Sequence, residues 1–396
     1  MRRATTATTR TTSRQAEAGP PPRQVLVVLH EDTLGGAARA LLRPLELLQE
    51  QGWDPVFWCT KPSPLHDELS RLGFAVDGAP RLMRYRLRSL RDPPGVRARV
   101  TSLFTSLAAF RRHLRATAPD LVHVNGRLAL PEGLVARLYR RRVAVWIQDD
   151  ALPGWRGALG RIGPWLAAHV VIASSPRHAE TLRLGRRQPL IVPSSTPLPD
   201  APPDMRAERN GPVVVGSLGL ISPRKGTDVF VEMARLLRER GTPVDLRLAG
   251  GMEPSYLKQW ALDQISAGEP LGIRFLGHVD AIDEMRGWDI MVMPSRADPF
   301  PLSVLEAMAL GIPVVGSDVD GISEQLADDA GVLVPPEDPV ALADAVELLV
   351  RDPARRAALG ATAAHRVRER FTIAHAADAL SVAWSAALAD GILAAR

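Results

Sequence analysis

The chain alternates, and no other feature constrains its fold as much. Short runs rich in Val, Ile and Leu fall at residues 24–29, 55–58, 121–124, 143–147, 169–173 and 190–192, with amphipathic stretches such as 38–51, 96–116 and 132–140 between them. Within these runs apolar residues follow one another directly, without the polar interruptions of a half-wet sheet. Such runs suit strands covered on both faces, as in a parallel sheet flanked by helices. A polar, Pro-rich stretch follows, SSTPLPDAPPDMRAERNGP at 194–212, and then the pattern restarts at 213–217, 244–249, 273–276, 289–294, 313–316 and 332–334. The expected fold is α/β: two doubly wound, Rossmann-like domains at 23–193 and 213–371, joined by a linker at 194–212.

The bulk numbers agree with two globular domains, at 396 residues, 46% hydrophobic and 23% charged. No apolar run approaches the roughly 18 residues of a membrane span. Residues 1–22, MRRATTATTRTTSRQAEAGPPP, hold six Thr, four Arg and one acid. They lack the apolar middle of a signal peptide and read as a disordered tail. Cys59 is the only cysteine, which excludes an intramolecular disulfide and a cysteine-rich metal site. It sits in the apolar run PVFWC as an expected core residue, and a reducing cytoplasm fits.

Net charge is +5, and the excess is local: from Arg81 to Arg115 there are ten Arg and one acid, Asp92. That segment reads either as a solvated face or as a contact with an anionic membrane or an acidic acceptor. The second reading would put the protein in the cytoplasm, peripheral on the inner membrane face. Nucleic acid is not among the expected partners. Only three lysines occur, Lys61, Lys225 and Lys258, against 46 arginines, and only two asparagines, Asn125 and Asn210. A residue of either type in a motif-like loop therefore stands out.

Ligands of open α/β sheets bind beyond the carboxyl ends of the strands. The loops to inspect are thus 34–37, 125–127, 148–150, 218–225, 295–302 and 317–321. The stretch SRADPFPLSVLEAMALGIPVVGSD begins at Ser295, carries Asp298 on a loop, and climbs into an expected helix at 302–310 with Glu306 about one turn in. The helix start offers unpaired N–H groups and the positive end of a dipole, a setting for phosphate or sugar hydroxyls. At about 1.5 Å per helical residue the two carboxylates stand on the order of 8–12 Å apart. That separation resembles the spacing of two sugars across a diphosphate. An incidental Glu306 beside Leu305 and Met308 would be costly, and the bland reading of Asp298 is a helix cap. The loop GLISPRKG at 219–226 supplies Gly219 for close approach and Arg224 or Lys225 as charge for a diphosphate. Neither a P-loop nor a G-x-G-x-x-G after a strand is present. His123 and Asn125 close a strand, and His123 reads equally as core or as functional.

These residues carry a resemblance. D-P-F-P-L-S-V-L-E-A-M-A at 298–309 is similar to the E-P-F-G-x-x-x-x-E-A-M-A pattern of the retaining, nucleotide-sugar-dependent glycosyltransferases of family 4, which have the GT-B fold. GIPVVGSDVDG at 311–321, PRKG at 223–226 and RFLGHVD at 274–280 match further family segments. LGGAARALL at 34–42 resembles the glycine pair before the family's first helix. By this resemblance residues 23–193 bind the acceptor, 213–371 bind a UDP- or GDP-sugar, and a helix within 372–396 crosses back onto the first domain.

The resemblance implies a catalytic group of Lys225, Asp298 and Glu306. Glu306 would hold the ribose, Asp298 the transferred sugar, and Lys225 the diphosphate. Gly219, Arg224, Phe300, Pro301 and Leu302 would complete the donor site, with Gly35, Gly36, Asn125, Gln148 and Asp149 on the acceptor and phosphate side. Retention would follow a front-face displacement without a cofactor or a metal. The DVD at Asp318–Asp320 spells the D-x-D used for manganese by other glycosyltransferases, but here it falls at a turn after a strand. The chain departs from the family at Asp298 for Glu, Pro301 for Gly, Leu220 for Arg, Gln148 for His and Asp320 for Gly. Two other classes compete: a nucleotide-sugar epimerase of the same fold, and a non-catalytic scaffold that binds glycans or protein.

Overall fold

The structure is a computed structural model that describes residues 21–30, 34–80, 96–149, 155–199, 211–252 and 258–389. The expected tail up to residue 20, residues 81–95 of the basic segment, Asp150 and residues 200–210 of the linker lie outside it.

Among the described residues two parallel sheets form. The first has seven strands: β1 (Arg23–Leu29), β2 (Trp53–Lys61), β3 (Val76–Pro80), β4 (Leu121–Asn125), β5 (Arg142–Trp146), β6 (Val170–Ala173) and β7 (Leu190–Ile191), in the order β3-β2-β1-β4-β5-β6-β7. The second has six: β8 (Val213–Leu218), β9 (Val244–Ala249), β10 (Ile273–Gly277), β11 (Ile290–Met293), β12 (Val314–Ser317) and β13 (Val332–Val334), in the order β10-β9-β8-β11-β12-β13. Strand order reverses between β1 and β4 and between β8 and β11, so each domain has its switch point beside its first strand.

Helices cover both faces. In the first domain they are α1 (Gly36–Leu42), α2 (Leu45–Glu50), α3 (Pro64–Arg71), α4 (Val96–Thr117), α5 (Leu130–Leu138), α6 (Trp155–Ala167) and α7 (Pro176–Leu182). In the second they are α8 (Thr227–Glu239), α9 (Lys258–Gly268), α10 (Ala281–Met285), α11 (Leu302–Ala309), α12 (Asp320–Gln325), α13 (Pro339–Arg351) and α14 (Pro353–Arg370), followed by α15 (Ile373–Leu388).

β1 shows why its apolar run is continuous. Val25, Val27 and Leu29 join one core, Leu26 and Val28 the other, and all five are buried. Cys59 on β2 is buried in the first of these cores. The structure differs from the sequence expectation in two places. The stretch 38–51 is two helices, because Pro44 lacks the N–H that a continuous helix would need and instead starts α2. β3, read as VDGAP, was not expected as a strand. It is an edge strand, and Gly78 lets it lie close to β2, where a Cβ would meet the Cys59 carbonyl oxygen at 2.3 Å.

α15 belongs to the first domain's core although the chain has already built the second. Its Ala376, Ala377, Leu380, Ala383, Trp384 and Ala387 are buried. The Trp384 ring meets Trp53 edge-on at 5.2 Å, and its indole N–H donates to His123 Nδ1 at 3.0 Å. Gln51 bonds Asp378 at 2.8 Å and Trp53 bonds Ser381 at 2.9 Å. His123 is thus a core residue, answering the question its position left open. The stretch Pro353–Leu388 reaches the length and apolar content of a membrane span. It is interrupted at Phe371 and Thr372, where the Thr372 hydroxyl caps α15, and its apolar side chains are used in the cores.

Candidate functional site

The carboxyl ends of both sheets face one cleft of about 780 Å³, within the size range of small-molecule sites. The first domain contributes Leu34, Gly36, Ala37, Arg39, Gln148, Asp149, Ser174 and Ser194. The second contributes Leu218 to Leu220, Ser222 to Lys225, Ala281, Asp298 to Ser303, and Glu306. Of the residues expected at the site, the cleft gathers Gly36, Gln148, Asp149, Gly219, Arg224, Lys225, Asp298, Phe300, Pro301, Leu302 and Glu306. Gly35 and Asn125 do not line it. Gly35 caps α1 one residue short of the wall. Asn125 stands behind the wall, where its side-chain oxygen accepts a hydrogen bond from Gln148 at 3.2 Å.

The loop after β8 is held from several sides. Gly219 leaves room for the stem of Lys225, whose Cδ would be 3.4 Å from a Cβ placed there. The Lys225 backbone N–H donates to the Ser222 hydroxyl and carbonyl oxygens at 3.3 and 3.2 Å. Gly226 has φ +67, and a Cβ would meet the Pro294 carbonyl oxygen at 1.9 Å, so only glycine fits. Arg296, which sequence reasoning missed, ties this loop to the next. It donates to the Pro223 carbonyl at 2.5 Å and grips Asp228 with two bonds of 2.7 and 2.8 Å. The Asp228 hydrogen bonds and a further pair with Glu337 raise the Arg296 pKa, keeping it a fixed cation.

The loop after β11 presents Asp298, buried and paired with the Lys225 ammonium. It is not a helix cap: Pro301 occupies that position at φ −66 and ψ 124, angles a proline adopts without strain. The Gly-to-Pro departure therefore costs one N–H and no backbone geometry. Gly321 donates to the Asp298 carbonyl at 3.1 Å, and a Cβ on it would meet the Pro299 carbonyl oxygen at 2.0 Å. Asp320 sits in the left-handed region at φ +38 and accepts the Asp298 N–H at 3.1 Å. Burial raises its carboxyl pKa, and the Asp298 charge adds to that. The other acid of the DVD spelling goes elsewhere. Asp318 accepts from the Ser323 hydroxyl at 2.5 Å and pairs with Arg177 at 2.8 Å, and these partners hold its pKa below the usual range.

Glu306 is the second buried acid, within a helix whose residues after Leu302 are all buried. Its partner comes from the other domain. Arg43, the residue closing α1, donates one guanidinium nitrogen to Glu306 Oε1 and another to the Ser195 carbonyl at 2.5 Å. One arginine thus joins the first domain, the start of the linker and α11. Sequence offered no signal for it among 46 arginines. Arg39, one turn before it, lines the cleft and was likewise missed. On the first-domain wall Asp149 accepts the Arg127 N–H at 3.1 Å, and His178 nearby is depressed to about 4 by burial.

Two family models match the chain in succession. Residues 34–192 match Glycosyltransferase Family 4 and residues 212–352 match Glycosyl transferases group 1. The chain belongs to glycosyltransferase family 4. Among this family-4 chain's relatives is the lipopolysaccharide core biosynthesis mannosyltransferase LpsB of Rhizobium meliloti, 34% identical over 178 residues, which are 43% of this chain and 50% of that protein. Another is a D-inositol 3-phosphate glycosyltransferase of Pseudarthrobacter chlorophenolicus, 38% identical over 38% of this chain and 37% of that protein. The match thus spans half of the first relative's length and less of the second. Among solved structures, Anabaena Alr3699/HepE in complex with UDP and glucose superposes with a TM-score of 0.74 at 18% identity, covering 92% of this chain and 99% of that one. That likeness establishes the two-domain GT-B fold.

Proposed function

We propose that this family-4 chain transfers a sugar from a nucleotide diphosphate sugar, a UDP- or GDP-sugar, to an acceptor hydroxyl with retention of anomeric configuration. The observation that carries the reading is two buried carboxylates in one cleft, each held by a cation: Asp298 by Lys225 within the cleft, and Glu306 by Arg43 from the first domain. A diphosphate laid between them would meet Lys225 and Arg224 from the loop after β8 and the unpaired N–H groups at the start of α11. Glu306 would accept from the ribose hydroxyls and Asp298 from those of the transferred sugar. As the bond between the sugar's anomeric carbon and the diphosphate oxygen breaks, negative charge grows on that oxygen. The acceptor oxygen bonds to the anomeric carbon on the same face, and its proton passes to the leaving diphosphate. A fixed cation at that point stabilises the transition state more than the bound donor.

The acceptor, the cytoplasmic location and a membrane contact through the segment from Arg81 to Arg115 belong to this proposal too. The test is incubation with a panel of UDP- and GDP-sugars in excess chelator, following nucleotide release and the stereochemistry of the product. Release with a retained linkage is expected. Epimerised sugar without transfer would give the epimerase, and no turnover of any donor would give the binding scaffold. Activity lost in chelator and restored by manganese would remove the metal-free mechanism.

A further inference from the structure

Two pairs of large apolar side chains stand in water on neighbouring helices of the first domain. On α5, Leu134 and Leu138 are 42% and 81% exposed, and on α6, Ile162 and Leu166 are 38% and 59% exposed. Each pair is one helical turn apart and so shares a face. The helices cross closely because glycines permit it: a Cβ on Gly133 would come within 3.3 Å of Ala167, and one on Gly163 within 3.4 Å of Leu130. The exposed pairs flank that crossing. Both helices run from the cleft edge of the sheet toward its opposite edge. Leu138 and Leu166 therefore stand near the starts of β5 and β6, away from the cleft.

The charge on the three helices around this stripe has one sign. Arg137, Arg140 and Arg161 are exposed beside it. Arg115, at the end of α4, lies over the Tyr139 ring at 4.9 Å and brings a further cation to the end of α5. Among the described residues, α4, α5 and α6 carry no exposed carboxylate: Glu132 is their only acid, and it is buried against His30. A protein partner would have to supply matching acids at fixed places. A bilayer with anionic lipids supplies negative charge everywhere and an apolar layer just beneath.

We propose that the α5–α6 face docks on an anionic lipid bilayer, with the four apolar side chains entering the interface and the arginines meeting the headgroups. The proposal stands apart from the reaction, and it rests on none of residues 81–95. The cleft stays open to soluble donor while the first domain is held at the surface.

The test uses the full chain and flotation with vesicles of phosphatidylcholine alone or with phosphatidylglycerol added. Binding to the anionic vesicles only, weakening as salt is raised, is expected. Leu138→Ser with Leu166→Ser should reduce partition at least tenfold, as should Arg140→Gln with Arg161→Gln. Thermal melting and nucleotide release in lipid-free solution should stay near the parent's values, because these residues lie outside both cores and the cleft. Equal binding to both vesicle types, or none to either, overturns the proposal. Binding that survives both sets of substitutions overturns it by placing the contact elsewhere, for example on residues 81–95. A parent that is dimeric by light scattering, with a dimer abolished by the leucine substitutions, overturns it by assigning the face to a second copy.

Discussion

Arg43→Gln is the most informative single change. The Arg43 and Glu306 side chains are 17% and 7% exposed, so the pair is largely shielded from water. Removing the cation leaves a carboxylate inside an apolar helix with no opposite charge. Breaking a buried pair in this way costs about 3–5 kcal/mol, most of it the desolvation of the ion left behind. The lost bond to the Ser195 carbonyl falls within that range, because net hydrogen-bond contributions are about 1 kcal/mol. For a domain of this size, roughly 2–4 °C of melting temperature goes with each kcal/mol, so a fall of about 6–20 °C is expected. Glu306→Gln should cost less, since Arg43 keeps Ser195 and some water. The double variant should be more stable than Arg43→Gln alone, with a coupling of about 2 kcal/mol or more in a double-mutant cycle. Urea and thermal melts measure stability, and calorimetry with UDP and GDP measures nucleotide affinity. If Arg43 also orients Glu306 for a ribose, affinity falls about tenfold in the folded variant. Additivity within about 0.5 kcal/mol would show that the two residues do not act on each other, and would refute the reasoning.

The remaining expectations concern the loops and the cores. Lys225→Ala should lower turnover by about a hundredfold or more with a smaller effect on donor affinity, and Lys225→Arg should recover only part of the rate; parent-like rates in both would remove Lys225 from the site. Gly321→Ala, whose Cβ would meet the Pro299 carbonyl oxygen at 2.0 Å, must displace the Asp298 loop, so nucleotide affinity should drop at least tenfold, and unchanged affinity would mean the loop yields freely. Burial lowers His123 to about 3 and His178 to about 4 from an ordinary 6.5. The unfolded chain therefore takes up protons below about pH 6.5 that the folded chain refuses. Stability should be flat above about pH 7 and fall on acidification, with these two histidines together contributing about 4 kcal/mol at pH 5 and the likewise burial-depressed His113 and His169 adding to it. Urea midpoints across that range check it, and His178→Asn should remove about 2 kcal/mol of the fall at pH 5.

Much of the fold was legible because its signals are local. Runs such as 213–217 and 313–316 need no partner to be recognised as strands buried on both faces. β3 was hidden because VDGAP offers one strong strand former, and its pairing depends on the absence of a side chain at Gly78. Pro44 was a legible break whose effect was not drawn. At the site, Lys225, Asp298 and Glu306 were readable because their types and spacing are distinctive. Arg43 and Arg296 were not, since arginine is abundant in this chain and what distinguishes these two is the partner that folding brings. Glu306 lies 263 positions from Arg43. Asn125 misled for the same reason: its strand-end position suggested the cleft, while its actual partner is Gln148.

The placement of α15 has a consequence for the birth of the protein. The first domain's core is closed by Leu380 and Trp384, residues made after all of the second domain's sheet. At about 5–20 residues per second on the ribosome, β4 waits roughly 13–50 s before Trp384 exists to cap His123. During that time the face of β4, β5 and β6 on which α15 packs stands without that cover. The two domains can therefore start folding in order of synthesis, but the first one finishes last. A nascent chain stalled before residue 373 should expose the first domain to protease while the second is already resistant, reversing the order in which they were made.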